Sequence, residues 1–434
     1  MVKSLRRAMS ATAAACLLMP LYGQDAPVTP DPDCNNYQAW QIQVNPRADA
    51  TGKNNSYMTD VNATYWGTVL SRRLGTSLTI KGRYPAARYF SLGVYDTGEK
   101  YLDSIRDVGI DPDAGQNNPY RAGSSAAQGT YTITLNFGNP PANPPPNSIY
   151  TSDRANIELI YRIYYSDNRN DLTGETTNPV LPAIFDSGTA LRSCPPNPII
   201  VPQTATVWGR LDQMNFTGSS APAFRMSNPP VWNASGVNGT FQPLFSPDNG
   251  YLTAYISRKY LAAPYANNMV VIRMRAPTFA DTQAGAPPWT TAQVRYWSVC
   301  TNEVKSFWSV RCTADDIAVN TNGFVTFVIS DPAYRPSSNV LSQWGATWIA
   351  WGALEPNDSL ITTNGTVLTN ADGVFYNDSV VYRQTAADPN FAQSIENISQ
   401  LPAGSQQAAM GDYWPQIGYC SAADFQSKGA GCLH

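Results

Sequence analysis

Two nine-residue stretches hold the residue types that could do chemistry. RYFSLGVYD runs from Arg88 to Asp96 and RYWSVCTNE from Arg295 to Glu303, each opening on arginine and closing on a carboxylate. Asp96 and Glu303 are the candidate catalytic pair, because two carboxylates about 5–10 Å apart can cleave a glycosidic bond. The competing reading makes them ion-pair or turn-capping residues. Side chains alternate along a strand, so Arg88, Phe90, Leu92, Val94 and Asp96 share one face, apolar at its centre. Eight residues span roughly 26 Å at strand rise, so arginine and carboxylate must find other partners. On the opposite face, Tyr89 and Tyr95 flank Gly93, and Tyr296 holds the matching place in the second stretch. These tyrosines make either a flat ligand platform or buried aromatic packing. Arg88, Arg295 and Trp348 complete the candidate ligand-binding set.

Much chemistry is excluded. The single histidine is His434, so serine, cysteine and zinc hydrolysis, and two-histidine iron or copper sites, lack their imidazole. No P-loop and no G-x-G-x-x-G opening a helix occurs, so NAD and ATP are unsupported and no cofactor is expected. Asp111, Asp113 and Asn117 offer oxygen ligands, but position twelve from Asp111 is Ala122 where an EF-hand needs glutamate; the loop reads as acidic and solvated, with no metal. An enzyme on this chain would work with carboxylates, tyrosine, lysine or arginine.

The elements that must position these residues are strands. Three landmarks recur in order: the arginine-aromatic stretches, then GTYTITLNFGNP from Gly129 and GFVTFVISDP from Gly323, then ELIYRIYY with Arg162 and SVVYRQT with Arg383. Each shows period-two alternation closed by Gly, Pro, Asn or Asp. The expected fold is all-β, with two related antiparallel sandwich or jelly-roll lobes and a few short helices. The expected divisions are a signal peptide over 1–23, an N-terminal extension over 24–64, a first lobe over 65–192, a proline-rich linker over 193–205 and a second lobe over 206–434. NPPANPPPN, from Asn139, must be an exposed connection. DPNFAQSIENI predicts a helix capped by Asp388, and SAADFQSKG a second one.

The aromatic-Ser strand ending in Tyr-Asp, the D-P-x-x-G region from Asp111 and the TWIAWG stretch from Thr347 to Gly352 resemble a family of secreted, mostly bacterial proteins of unknown function. The resemblance spans residues 65–420 and implies a jelly-roll-like fold. It carries over no catalytic residue, and Cys300 inside the second strand departs from its pattern.

Lys3, Arg6 and Arg7, followed by an apolar run to Met19, predict export, with cleavage before Gln24. AAAC, ending at Cys16, is a weaker lipoprotein-like alternative. Removing those three from 29 basic residues leaves 26 against 32 acidic ones, a formal charge of −6; nucleic acid is not expected as a partner, nor is a membrane span. The six cysteines of the mature chain predict disulfides: Cys300 with Cys312 and Cys420 with Cys432 by their equal spacing, leaving Cys34 with Cys194, although six cysteines allow 15 connectivities. Sequons stand at Asn54, Asn62, Asn215, Asn233, Asn238, Asn357, Asn364, Asn377 and Asn397. The leading expectation is a secreted protein binding a glycan or apolar small molecule, between its lobes or on an aromatic-lined face; Trp66, Trp297, Trp308, Trp348 and Trp351 are its aromatic candidates. The alternative is a histidine-independent enzyme, such as a carboxylate glycosidase, lyase or cyclising enzyme.

Overall fold

The computed structural model describes residues 38–40, 42–44, 58–124, 129–167, 181–193, 197–198, 228–235, 244, 246–257, 261, 267–303, 308–314, 318, 320–351, 360–361, 367–368 and 378–433. The alternating runs of the first half become β1 (Ile42–Val44), β2 (Ala63–Ser71), β3 (Ser77–Arg83), β4 (Ala87–Asp96), β5 (Tyr101–Arg106), β6 (Thr130–Asn136), β7 (Ser148–Tyr150), β8 (Asn156–Ser166), β9 (Ala183–Asp186) and β10 (Thr189–Ala190). The second half gives β11 (Trp232–Ser235), β12 (Asn249–Ile256), β13 (Met269–Arg275), β14 (Val294–Glu303), β15 (Trp308–Ala314), β16 (Asn320–Thr321), β17 (Phe324–Ser330), β18 (Ala346–Ala350), β19 (Asp378–Ala387) and β20 (Gln416–Cys420).

Among the described residues the first half forms two large sheets, with a further two-stranded pairing of Gln38–Ala39 and Arg192–Ser193. One is ordered β10-β9-β3-β6-β7; the other runs β1-β2-β8-β4-β5, with Asn197–Pro198 beside β1. In the second half the orders are β11-β12-β19-β14-β15 and β16-β17-β13-β20, with β18 also on β17. The same strand sequence is thus used twice: β2-β8-β4-β5 answers to β12-β19-β14-β15, and β9-β3-β6-β7 to β20-β13-β17-β18. One parallel pair corresponds as well, β6 with β7 and β17 with β18.

Each sandwich closes on its own core. Phe90, Leu92 and Val94 of β4 point inward with Trp66, Ile133 and Leu159, and Trp297 and Val299 of β14 pack with Phe327, Ile349 and Tyr382. Such side chains each contribute about 1.5–3 kcal/mol of burial. The opposite face of the β1-β2-β8-β4-β5 sheet does not meet water. Tyr65, Tyr89, Tyr95 and Tyr164 form a third buried cluster with Tyr296 and Ala314 of the second half. The protein is therefore four sheets deep, with β3-containing and β13-containing sheets outermost.

Cys300–Cys312 joins β14 to β15, and Cys420–Cys432 ties β20 to the C-terminal turn. Cys34, Cys194 and the expected signal peptide over 1–23 lie outside the described residues. Among the described residues no helix is long and apolar enough to cross a membrane. Among the described residues four short α-helices are present: α1 (Ser338–Trp344), α2 (Ile395–Ile398), α3 (Ala403–Met410) and α4 (Ala422–Lys428). The helix expected to start at Asp388 starts at Ile395 instead. Asp388 accepts the amide of Asn390 in a turn, whereas Ser394 is the cap and accepts from the Asn397 amide. Side-chain oxygens of both residues satisfy backbone donors; only the serine does so at a helix start.

Candidate functional site

Between the two inner sheets lies a layer of polar and aromatic side chains built on β2, β4, β8, β12, β14 and β19. Its closed end centres on Asp60, which precedes β2 and is 0% exposed. Asp60 Oδ2 accepts from Arg383 Nη1 at 2.6 Å, Ser298 Oγ at 2.5 Å and Tyr296 Oη at 3.0 Å, and Oδ1 accepts the Asn62 amide at 2.8 Å. A buried carboxylate is tolerable only with such a set of donors. The Arg383 guanidinium also lies over the Tyr251 ring, 5.2 Å from its centroid. Next to it Asn249 donates to both Tyr164 and Tyr251, and Tyr65 donates to Tyr164. Burial first, then Tyr164, raises the Tyr65 phenol well above its ordinary range, which keeps it a donor.

The corresponding arginine of the first half is Arg162. It donates to Tyr95 Oη at 2.7 Å and to the Leu244 carbonyl at 3.0 Å. Burial, against the pull of Arg162, pushes the Tyr95 phenol up to about 12. Gly93 makes this possible, because a Cβ there would stand 2.8 Å from Arg162 Nη1 and 2.9 Å from Tyr95 Oη.

Contacts across the layer are reciprocal. Tyr296 of the second half reaches Asp60 of the first, and Tyr89 of the first donates to Asp248 Oδ2 of the second at 2.6 Å. Arg88 is sandwiched between the rings of Tyr165 and Phe279, 4.8 Å from each centroid, with Asp281 at 3.5 Å. Arg295 lies over Tyr120 and approaches Asp107 at 3.8 Å.

The layer opens at one rim. Asp248 Oδ1 stands 3.3 Å from Arg106 Nη1, their side chains 17% and 36% exposed. Glu396, exposed on α2, feels both charges; burial first and then Asp248 raise its carboxyl, and Arg106 opposes them. Gly250 of β12 admits α2, since a Cβ there would stand 2.7 Å from Ile395 Cβ. Just inside the rim, Asp107 Oδ1 accepts the Val108 amide. Burial raises the Asp107 carboxyl despite Arg295 and Arg106.

The structure separates the residues that sequence reading grouped. Tyr89, Tyr95 and Tyr296 do share a face, yet that face is covered by the other half and offers no flat platform to solvent. Arg88 is fully buried and Arg295 partly so, both holding the halves together. Asp96 caps a turn, its Oδ1 accepting the amides of Gly98 and Lys100; the side chain of Glu303 lies outside the described residues, as does that of Trp308. Trp348 is half-buried, donating to Ser330 Oγ beneath the Arg335 guanidinium, while Trp66, Trp297 and Trp351 are core. Asp111 pairs with Arg121. Of the sequons, Asn62 is buried with its amide on Tyr296, leaving no room for a glycan. Asn233 is half-buried and Asn397 exposed; Asn54, Asn215, Asn238, Asn357, Asn364 and Asn377 lie outside the described residues. Asp60, Cys300 and Cys312 bring ligand atoms within 4.8 Å of one another, but the two sulfurs are bonded together and have no thiolate to offer a metal.

No family model and no curated protein matches the chain. Two crystal structures resemble it over most of its length. An uncharacterised protein from Burkholderia cenocepacia is 14% identical, covering 89% of this chain and 84% of that one, with a TM-score of 0.47. A protein from Vibrio parahaemolyticus is 10% identical, covering 84% and 90%, with a TM-score of 0.41.

Proposed function

We propose that the chain is an exported, disulfide-braced binding protein, made from one sandwich unit used twice, whose ligand seat is the open rim at Arg106, Asp248 and Glu396. The observation that carries the seat is the part-exposed Asp248–Arg106 pair, contributed by the two halves, beside a third charged group. A donor fork and two carboxylates close together suit a ligand rich in hydroxyls, which must both give and accept hydrogen bonds. A short glycan fits this chemistry better than an apolar molecule. Two disulfides and the basic-apolar leader support export, and the shared strand order supports the duplicated unit.

A second reading has its own observation. Asp107 is buried 3.8 Å from Arg295, its carboxyl raised by burial, and a carboxyl that environment holds protonated is how histidine-free acid–base chemistry obtains its acid. One experiment tests both readings: thermal shift of the oxidised protein against oligosaccharides and small metabolites, with mass spectrometry of the mixtures. Stabilisation that disappears in Asp248→Asn supports the seat, and a new product lost in Asp107→Asn supports catalysis. Ligands that stabilise Asp248→Asn as well as wild type refute the seat.

A further inference from the structure

The outermost sheets carry a feature that the interlobe layer does not use. On β13, Val270, Ile272 and Met274 face the core, so Arg273 and Arg275 face outward. On the same outer surface stand Phe324 and Thr326 of β17, paired with them in register, and Gln416 of β20 opposite Arg273. The far end of this surface is covered: Met269, Val271 and Val328 pack under Trp344 of α1 and Phe425 of α4. The arginine end is half-exposed. Arg273 and Arg275 lie 4.9 and 5.5 Å from the Phe324 ring centroid. Among the described residues their only hydrogen bond is a long one, Arg273 to Thr326 Oγ1 at 3.4 Å, and neither has a carboxylate within ion-pair distance.

The first sandwich places two cations at the same strand position, with its aromatic ring on the other neighbouring strand. Lys81 and Arg83 end β3 as Arg273 and Arg275 end β13, each opposite the corresponding strand, β6 or β17. Both are exposed, and Lys81 Nζ lies 5.3 Å from the centroid of the half-buried Phe185 ring on β9. The nearby Asp186 is taken by Arg72 at 2.9 Å. In a chain that is acidic overall, four cations with no carboxylate in ion-pair distance among the described residues, at two equivalent places, ask for an outside anion.

We propose that each outer sheet is a platform for a carboxylated polysaccharide, held by Lys81, Arg83 and Phe185 on one side of the molecule and by Arg273, Arg275 and Phe324 on the other. Cations two residues apart on a strand are about 6.5–7 Å apart, a separation that presents two positive heads to acid groups repeating along one polymer. Guanidinium binds carboxylate bidentately and the Lys81 ammonium as a point charge, and the ring beside the cations, Phe324 next to both arginines and Phe185 next to Lys81, offers an apolar surface to a sugar face. The platforms lie on opposite sides of a four-sheet stack, so one protein bridges two polymer chains. Each contact is weak against the net negative charge, and avidity supplies the rest. The inference is independent of the rim seat.

Polygalacturonate is the probe, with dextran as the neutral control and duplex DNA as the phosphate control. At low salt the wild-type protein should co-sediment with polygalacturonate and scatter light as chains are bridged. Arg273→Gln with Arg275→Gln, or Lys81→Gln with Arg83→Gln, should keep binding but lose the scattering. The four changes together should weaken binding at least about tenfold. The unfolding midpoint should fall only slightly, because Lys81 and Arg83 are exposed and Arg273 and Arg275 half-exposed. Undiminished bridging by either pair of substitutions overturns the proposal; so does equal binding of dextran, or of DNA through the same four residues.

Discussion

Removing the Asp60 carboxylate tests the closed end of the layer. Asp60 is 0% and Arg383 3% exposed, so Asp60→Ala leaves a guanidinium buried without its counter-charge. Breaking a buried pair from one side costs about 3–5 kcal/mol. Tyr296→Phe removes one hydrogen bond to the same carboxylate and the acceptor of the Asn62 amide, and should cost about 1.5–3 kcal/mol. Asp96→Ala, which removes only a surface turn cap, should cost under about 1 kcal/mol. Replacing both charges, as Asp60→Leu with Arg383→Met, removes the stranded cation and should recover much of the loss. Urea unfolding of the oxidised protein at neutral pH, followed by tryptophan fluorescence, orders the four variants. The reasoning is refuted if Asp60→Ala lies within about 1 kcal/mol of wild type, or if the double variant is no more stable than the single one.

Two further perturbations address the rim. The folded chain holds the Asp107 proton more tightly than the unfolded chain does, so this group's contribution to stability falls as pH rises from the ordinary carboxylate range through its raised folded value. Asp103, Asp167 and Glu396 are shifted in the same direction. The informative quantity is therefore the stability of Asp107→Asn minus that of wild type, which should grow with pH across this window; a constant difference would contradict the shift. Gly250→Ala should cost about 1–3 kcal/mol by forcing α2 off β12, and should also abolish any ligand-induced thermal shift by displacing Glu396. Gly404→Ala, with nothing within 4 Å of the new Cβ, is the control that should leave ligand binding intact.

What could be read from the chain was local. Alternation assigned Phe90, Leu92 and Val94 to one side of β4 and Tyr89 and Tyr95 to the other, and the structure keeps that division. The equal spacing of Cys300 with Cys312 and of Cys420 with Cys432 gave two correct bridges. Alternation cannot say whether the second face meets solvent or another sheet, and here it meets a sheet. The same limit hid Asp60, Asp107 and Asp248. They stand at or beyond strand ends in unremarkable sequence, and their partners lie up to 323 residues away. Arg162 and Arg383 were visible as matching landmarks, and that repetition was the one signal that could have led to their carboxylate and phenol partners. The outer-face cations escaped notice because K-G-R and R-M-R are unremarkable until register sets them at the same place in two sheets.

The bond from Asp60 to Arg383 also dictates when the molecule can finish assembling. A nascent chain emerges with its acid first and does not acquire the matching cation until β19, 323 residues later, has appeared. Until then the earlier sandwich carries a tyrosine-rich flank open to water. Final docking of the halves is thus a late, long-range event, which is slow because so much chain must be brought together. A fragment ending before β19 would be left with that flank bare, prone to sticking to its own copies.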